Sequence, residues 1–188
     1  MMPLAIVFTA IVIALVRGGS LSNFATLEIR FMWIAFGAFA LQLALFNPFN
    51  AATVPPSFAP WIYIFSMSAL LIWVVVNRQL PGMLLIGIGL LMNTVAITAN
   101  GGYMPVGLEQ ARFAGKLANY TAASEAIANN SIVLPRDQTQ LWFLTDILAL
   151  PDGVPLANVF SFGDVLLFLG IGTLCYVTMC RRNTCITV

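Results

Sequence analysis

Histidine is absent from all 188 residues of the chain. That removes the usual axial ligand of haem, a common magnesium ligand of chlorophylls, and the commonest metal ligand and general base. Charge is nearly as scarce, at 8% of residues, against about 25% in soluble domains. The 8 basic and 7 acidic residues almost cancel, so there is neither a basic surface for nucleic acid nor an acidic tail. The three cysteines, Cys175, Cys180 and Cys185, all lie at the C-terminal end. They cannot staple an internal loop, and their five-residue spacing does not match a zinc site. They read as structural or incidental, with palmitoylation of the tail as the alternative. No Ser-His-Asp or Cys-His set, Gly-rich phosphate loop or carboxylate cluster is present. Asp137, Asp146 and Asp152 are spaced by nine and six residues and share no helical face. No catalytic residue, metal site or cofactor is therefore expected, although a bound lipid, quinone or carotenoid needs no histidine.

What the chain has is apolar mass: 60% hydrophobic residues and a mean hydropathy of +0.94. Five runs stand out, at Pro3–Val16, Phe31–Phe46, Ala59–Val76, Gly82–Ala99 and Val159–Met179. A helix needs about 20 such residues to cross the hydrocarbon core. The expected fold class is all-α: an integral membrane bundle of five transmembrane helices with a long extracytoplasmic loop containing short helices. As one domain over 1–188, its helices fall at about 2–17, 30–47, 58–77, 82–100 and 158–180, and the loop at about 101–157. A signal peptide is the rival reading of the first run. No basic residue precedes that run and no small-x-small cleavage site follows before Arg17, which favours a retained helix.

Orientation follows from the arginines, because cytoplasmic connections keep the positive charge. Arg17 and Arg30 flank the first connection, Arg78 sits in the third, and Arg181 and Arg182 follow the last helix. The second connection, from Asn47 to Phe58, is uncharged and rich in turn residues. This expectation places the N-terminus outside, the C-terminus in the cytoplasm and the long loop outside.

Within that loop, Leu108–Asn119 carries apolar residues at helical spacing, and Gln140–Leu148 reads as a helix lying in the interface or across the bundle mouth. Thr121–Asn130 is polar and weakly patterned. In the fourth helix Gly89, Asn93, Ala96 and Asn100 form a small and polar face. Such a face packs helices together in lipid, or else lets Asn93 line a cavity. Gln42 and Asn93 each lie roughly 16–18 Å from the cytoplasmic end of their helices at 1.5 Å per residue. Asp164 opens the last helix, where a carboxylate is either a cap stabilised by the helix dipole or a functional group. Gln42, Asn93 and Asp164 are thus the expected lining of an outward polar pocket. Asn100, Tyr103 and Asp146 on the overlying loop complete the ligand-binding candidates. Structural termination accounts for Asn100-Gly101-Gly102, but not for Tyr103 and Met104.

Taken together, Arg17-Gly18-Gly19, the stretch Asn100-Gly-Gly-Tyr-Met-Pro-Val106, Leu141-Trp-Phe-Leu-Thr-Asp146 and Val159-Phe-Ser-Phe-Gly-Asp164 resemble a bacterial family of multi-pass membrane proteins known only as a domain of unknown function. The resemblance covers nearly the whole chain apart from the tail at Cys180–Val188. It implies a prokaryotic inner-membrane protein and transfers no catalytic residue. The leading expectation is a non-enzymatic accessory or scaffolding subunit of a larger membrane complex, whose partners are membrane lipids and other integral membrane subunits. A small transporter or ligand-binding membrane protein using the outward pocket is the alternative.

Overall fold

The computed structural model describes residues 2–46, 55, 57–117, 131–154 and 157–181. Thr121–Asn130 and Cys185 lie outside the described residues. Five long helices carry the apolar runs: α1 (Met2–Val16), α2 (Met32–Leu45), α3 (Ala59–Val76), α4 (Met83–Ala99) and α6 (Phe162–Met179); the short α5 is Leu108–Phe113. Their ends follow local chemistry. Gly18, at φ 81°, lets the chain leave α1, and the Gly19 N–H returns to the Ala14 carbonyl at 2.8 Å, a left-handed C-terminal cap. Pro81-Gly82 precedes α4, and Gly101 and Gly102 follow it with φ of 72° and 91°.

The long helices form a row, α2, α3, α4, α6, α1, each packed mainly on its neighbours in that order. The Ser20 N–H bonds the Met179 carbonyl at 2.9 Å, so α1 and α6 end together and run parallel. Gly82, which caps the start of α4, and Gly89 within it meet Gly170 and Gly163 of α6 respectively, so that pair is antiparallel. One end of the row therefore gathers the ends of α1, α3 and α6 and the starts of α2 and α4. Arg17, Arg30, Arg78 and Arg181 all belong to that end. Each glycine of the α4/α6 seam touches the opposite helix so closely that an added Cβ would strike backbone or the Asn93 side chain. Glycines seven residues apart on both helices keep returning to the same face, and the two backbones meet along it.

Asparagines tie the helix ends. At the end of α3, Asn77 accepts from the Arg30 N–H (2.8 Å) and donates to the Arg30 and Trp73 carbonyls (3.0 and 2.9 Å). Asn100 repeats the arrangement at the end of α4, accepting from the Gln140 N–H and donating to the Gln140 and Ala96 carbonyls. Each clamped residue precedes a non-glycine residue in the left-handed region, Phe31 (φ 51°) and Leu141 (φ 50°). The two bonds to a clamped peptide offset the roughly 1–2 kcal/mol cost of that conformation. Asn23 likewise donates to the Met179 and Arg181 carbonyls at 2.8 Å.

Several expectations are corrected. The chain is mostly helical, but it is not all-α. In the long connection β1 (Met104–Gly107) pairs in parallel with β2 (Ser131–Leu134), Met104 opposite Ser131, and Val106 bridges to Asp146; β3 (Leu148–Ala149) pairs antiparallel with β4 (Val159–Phe160). Val106, Ala111, Ala114 and Val159 form the small core of this layer. The helix expected over Leu108–Asn119 stops at Phe113, because Gly115 turns at φ 63°. Gln140–Leu148 is no helix: Asn100 holds Gln140, Leu141 is left-handed, and only Trp142–Leu144 makes a 3-10 turn. The last helix starts at Phe162 and not near 158, since Val159-Phe160 is a strand, and the second starts at Met32 and not near 30. By length and composition, α3 and α6, of 18 residues each, are apolar and long enough to cross a membrane, while the other three long helices are shorter.

Candidate functional site

The site lies where α6 begins beside α4. Ser161 caps α6: its hydroxyl oxygen accepts the Asp164 N–H at 3.0 Å, and Asp164 Oδ2 accepts the Ser161 N–H at 3.1 Å. This reciprocal capping box is closed from the neighbouring helix by Asn93. Asn93 Nδ2 donates to Asp164 Oδ1 at 2.7 Å, and the Ser161 hydroxyl donates to Asn93 Oδ1 at 2.9 Å. Gly163 makes the approach possible, because a Cβ there would collide with Asn93 Oδ1. Both carboxylate oxygens of Asp164 are thus engaged, at a helix terminus whose dipole favours negative charge.

Asp146 approaches from the overlying layer. Its N–H donates to the Pro105 carbonyl at 3.1 Å, which anchors its backbone on β1. The residue is 8% exposed, and its Oδ1 has no hydrogen-bond partner. Burial first, and then the charge of Asp164, hold the Asp146 carboxyl well above the usual carboxylate range. A carboxyl so placed holds its proton more tightly than a solvated aspartate does. Among the described residues no group of three His, Cys, Asp or Glu side chains is placed to hold a metal ion.

A pH dependence follows. An acid whose folded-state pKa is raised contributes stability that is complete below its unfolded pKa and is lost as pH rises through the folded value. The purified protein should therefore melt at lower temperature as pH rises above the ordinary aspartate range. Asp146→Asn should flatten that slope and raise the melting temperature on its alkaline side by a few degrees, at about 2–4 °C per kcal/mol for a chain of this size. An unchanged slope in Asp146→Asn, followed by tryptophan fluorescence, would refute the assignment.

Of the six candidates read from the sequence, the structure joins Asn93 and Asp164 by a hydrogen bond, and buries Asp146 where the charge of Asp164 reaches it. Gln42 goes elsewhere: its Nε2 donates to Ser66 Oγ at 3.0 Å and contacts Met67 Sδ at 3.6 Å on α3. Asn100 is the clamp on Gln140, and Tyr103 is half-buried in the turn leading into β1. Two participants were missed. Ser161 stands three residues before Asp164, which is the capping-box spacing ahead of an apolar run. Gly163 belongs to the heptad glycines, whose pairing across helices no single-helix reading could show.

No curated protein and no solved structure matches the chain. One family model does, over residues 26–176, and so leaves α1 and Arg17-Gly18-Gly19 outside the match. By that match the chain belongs to DUF5317, a family of unknown function.

Proposed function

We propose that this protein is a polytopic component of a prokaryotic cytoplasmic membrane, with five helices crossing the bilayer, the start of α1 outside and the end of α6 in the cytoplasm. In this reading it has no enzymatic chemistry and serves as an accessory or scaffolding subunit that packs against lipid, isoprenoid or pigment and against other membrane subunits. The observation that carries the reading is α2 at the edge of the row. It buries Ala35, Ala38 and Leu45, while Trp33, Phe36, Phe39 and Leu43 are 54–73% exposed. Phe8 on α1, Trp61 and Phe65 on α3 and Leu84 on α4 are similarly bare. Apolar surface of this extent needs a lipid or protein cover. The collected arginines support the orientation through the positive-inside rule. Helices of 14 to 18 residues are short for a hydrocarbon core of about 30 Å, which tilt-free packing, local thinning and snorkelling arginines accommodate.

A photo-crosslinking residue at Phe36 or Phe39 should capture one defined membrane protein or lipid species in cells, whereas the same residue at buried Ala38 should not. Reporters fused after Arg181 should read cytoplasmic. Release by alkaline carbonate, or recovery from mild detergent as a lone monodisperse monomer with no specific crosslink, would sink the proposal.

A second reading, a ligand-binding membrane protein or small transporter, is favoured by the buried, unpartnered Oδ1 of Asp146. Its pocket would centre on Asn93, Asp146 and Asp164 without Gln42.

A further inference from the structure

At the arginine-bearing end a cavity of about 600 Å³ opens at the end of α3, lined by Arg30 and by residues 75–80, with Arg78 among them. Arg30 reaches it from a different part of the chain because Asn77 holds both polar atoms of its peptide and the Trp73 indole N–H donates to its carbonyl at 3.0 Å. No acidic residue lines the cavity. Neither guanidinium has a hydrogen bond or ion pair among the described residues, and both arginines are exposed. An apolar groove of about 440 Å³ adjoins it between α3 and α4, sharing Val75 and Arg78 with the cavity and running past Val74, Leu84, Gly87, Ile88 and Leu91. From Leu84 to Leu91 it extends about 10 Å along α4. Gly87 deepens it by omitting a side chain opposite Val74.

We infer that this composite site binds one anionic phospholipid, the phosphate between Arg30 and Arg78 and an acyl chain in the α3/α4 groove. The inference rests on the membrane reading above and names one lipid contact within it. Guanidinium groups match phosphate oxygens in paired hydrogen bonds. The order of the parts, charge at the helix ends and hydrocarbon toward the middle, is that of a lipid standing in a leaflet. Anionic lipids also concentrate in the cytoplasmic leaflet, where juxtamembrane arginines are drawn to them. A soluble phosphate would use the arginines and leave the groove without a role.

The test is native mass spectrometry of the full chain in mild detergent with added phosphatidylglycerol, phosphatidylcholine or inorganic phosphate. Phosphatidylglycerol should bind in preference to phosphatidylcholine, and Arg30→Gln and Arg78→Gln should each lower its affinity by about fivefold. Lysine at both positions should keep the preference, and Gly87→Leu should weaken both lipids. Equal binding of the two lipids, an undiminished preference in Arg30→Gln/Arg78→Gln, or displacement by inorganic phosphate together with indifference to Gly87→Leu would each overturn the site. Extraction of the protein by alkaline carbonate would instead overturn the membrane reading, so the two failures are distinct.

Discussion

Gly89→Leu should separate α4 from α6 and cost about 3 kcal/mol or more, the upper range for forcing atoms into a packed seam. A Cβ at Gly89 would meet the Gly163 carbonyl and the backbone of Leu167, and backbone on a continuous helix cannot swing aside as a side chain can. The displacement would also pull Asn93, one helical turn further on, away from Ser161 and Asp164. Gly37→Leu is the matched control. Gly37 lies on α2 with nothing within 4 Å of an added Cβ, so this change should be neutral, or stabilising by about 0.5–1 kcal/mol through helix propensity. Unfolding in a graded mixture of mild detergent and dodecyl sulfate, followed by tryptophan fluorescence, measures both. Equal effects of the two substitutions would show that the glycine seam does not hold the helices together.

Asp164→Ala should destabilise by about 2–4 kcal/mol, the sum of a lost N-cap partner and of buried donors left unpaired. The donors concerned are Asn93 Nδ2 and the Ser161 N–H. Asn93→Ala should cost a similar amount, because it orphans Asp164 Oδ1 and removes the acceptor of the Ser161 hydroxyl. The double variant should cost clearly less than the sum, since residues in one hydrogen-bond network couple. Asp164→Ala should also reduce the pH dependence assigned to Asp146 without abolishing it, because burial is the larger cause and the Asp164 charge the smaller. Strict additivity in the cycle would refute the ring. A loss of ligand binding or transport in Asp164→Asn, with stability retained, would move Asp164 from helix cap to functional group.

The apolar runs were readable because helices of this composition need no partner to be recognised. α3 was expected at Ala59–Val76 and is found there. The arginines were readable as one group because each lies at a run's end, and alternation of runs sets which end. The connection from Asn100 to Asn158 was the least legible part. The strands there and just after it are two to four residues long, and β1 pairs with a segment 27 residues further on, so no local period announces them. The error at Gln140–Leu148 has a definite cause: its apolar pattern suits a helix, yet a single asparagine from α4 holds Gln140 and bends the chain at Leu141.

The candidate site divides in the same way. Asp164 as a cap and Asn93 on a polar helix face were both available from spacing alone. Gln42 was grouped with them by depth, and depth cannot say which helix stands next in the row; α2 neighbours α3, so Ser66 takes its amide. Residue type and local period thus sufficed for the five apolar helices and for the shared end of Arg17, Arg30, Arg78 and Arg181, but not for every helix end, as the start of α6 shows. The tertiary structure alone decided that α6 lies between α4 and α1, that Gly89 faces Gly163, and that Asp146 is buried near Asp164 with one oxygen unpartnered. Those facts depend on which backbones can approach and which polar atoms are left over once they have, and neither is a property of any one segment.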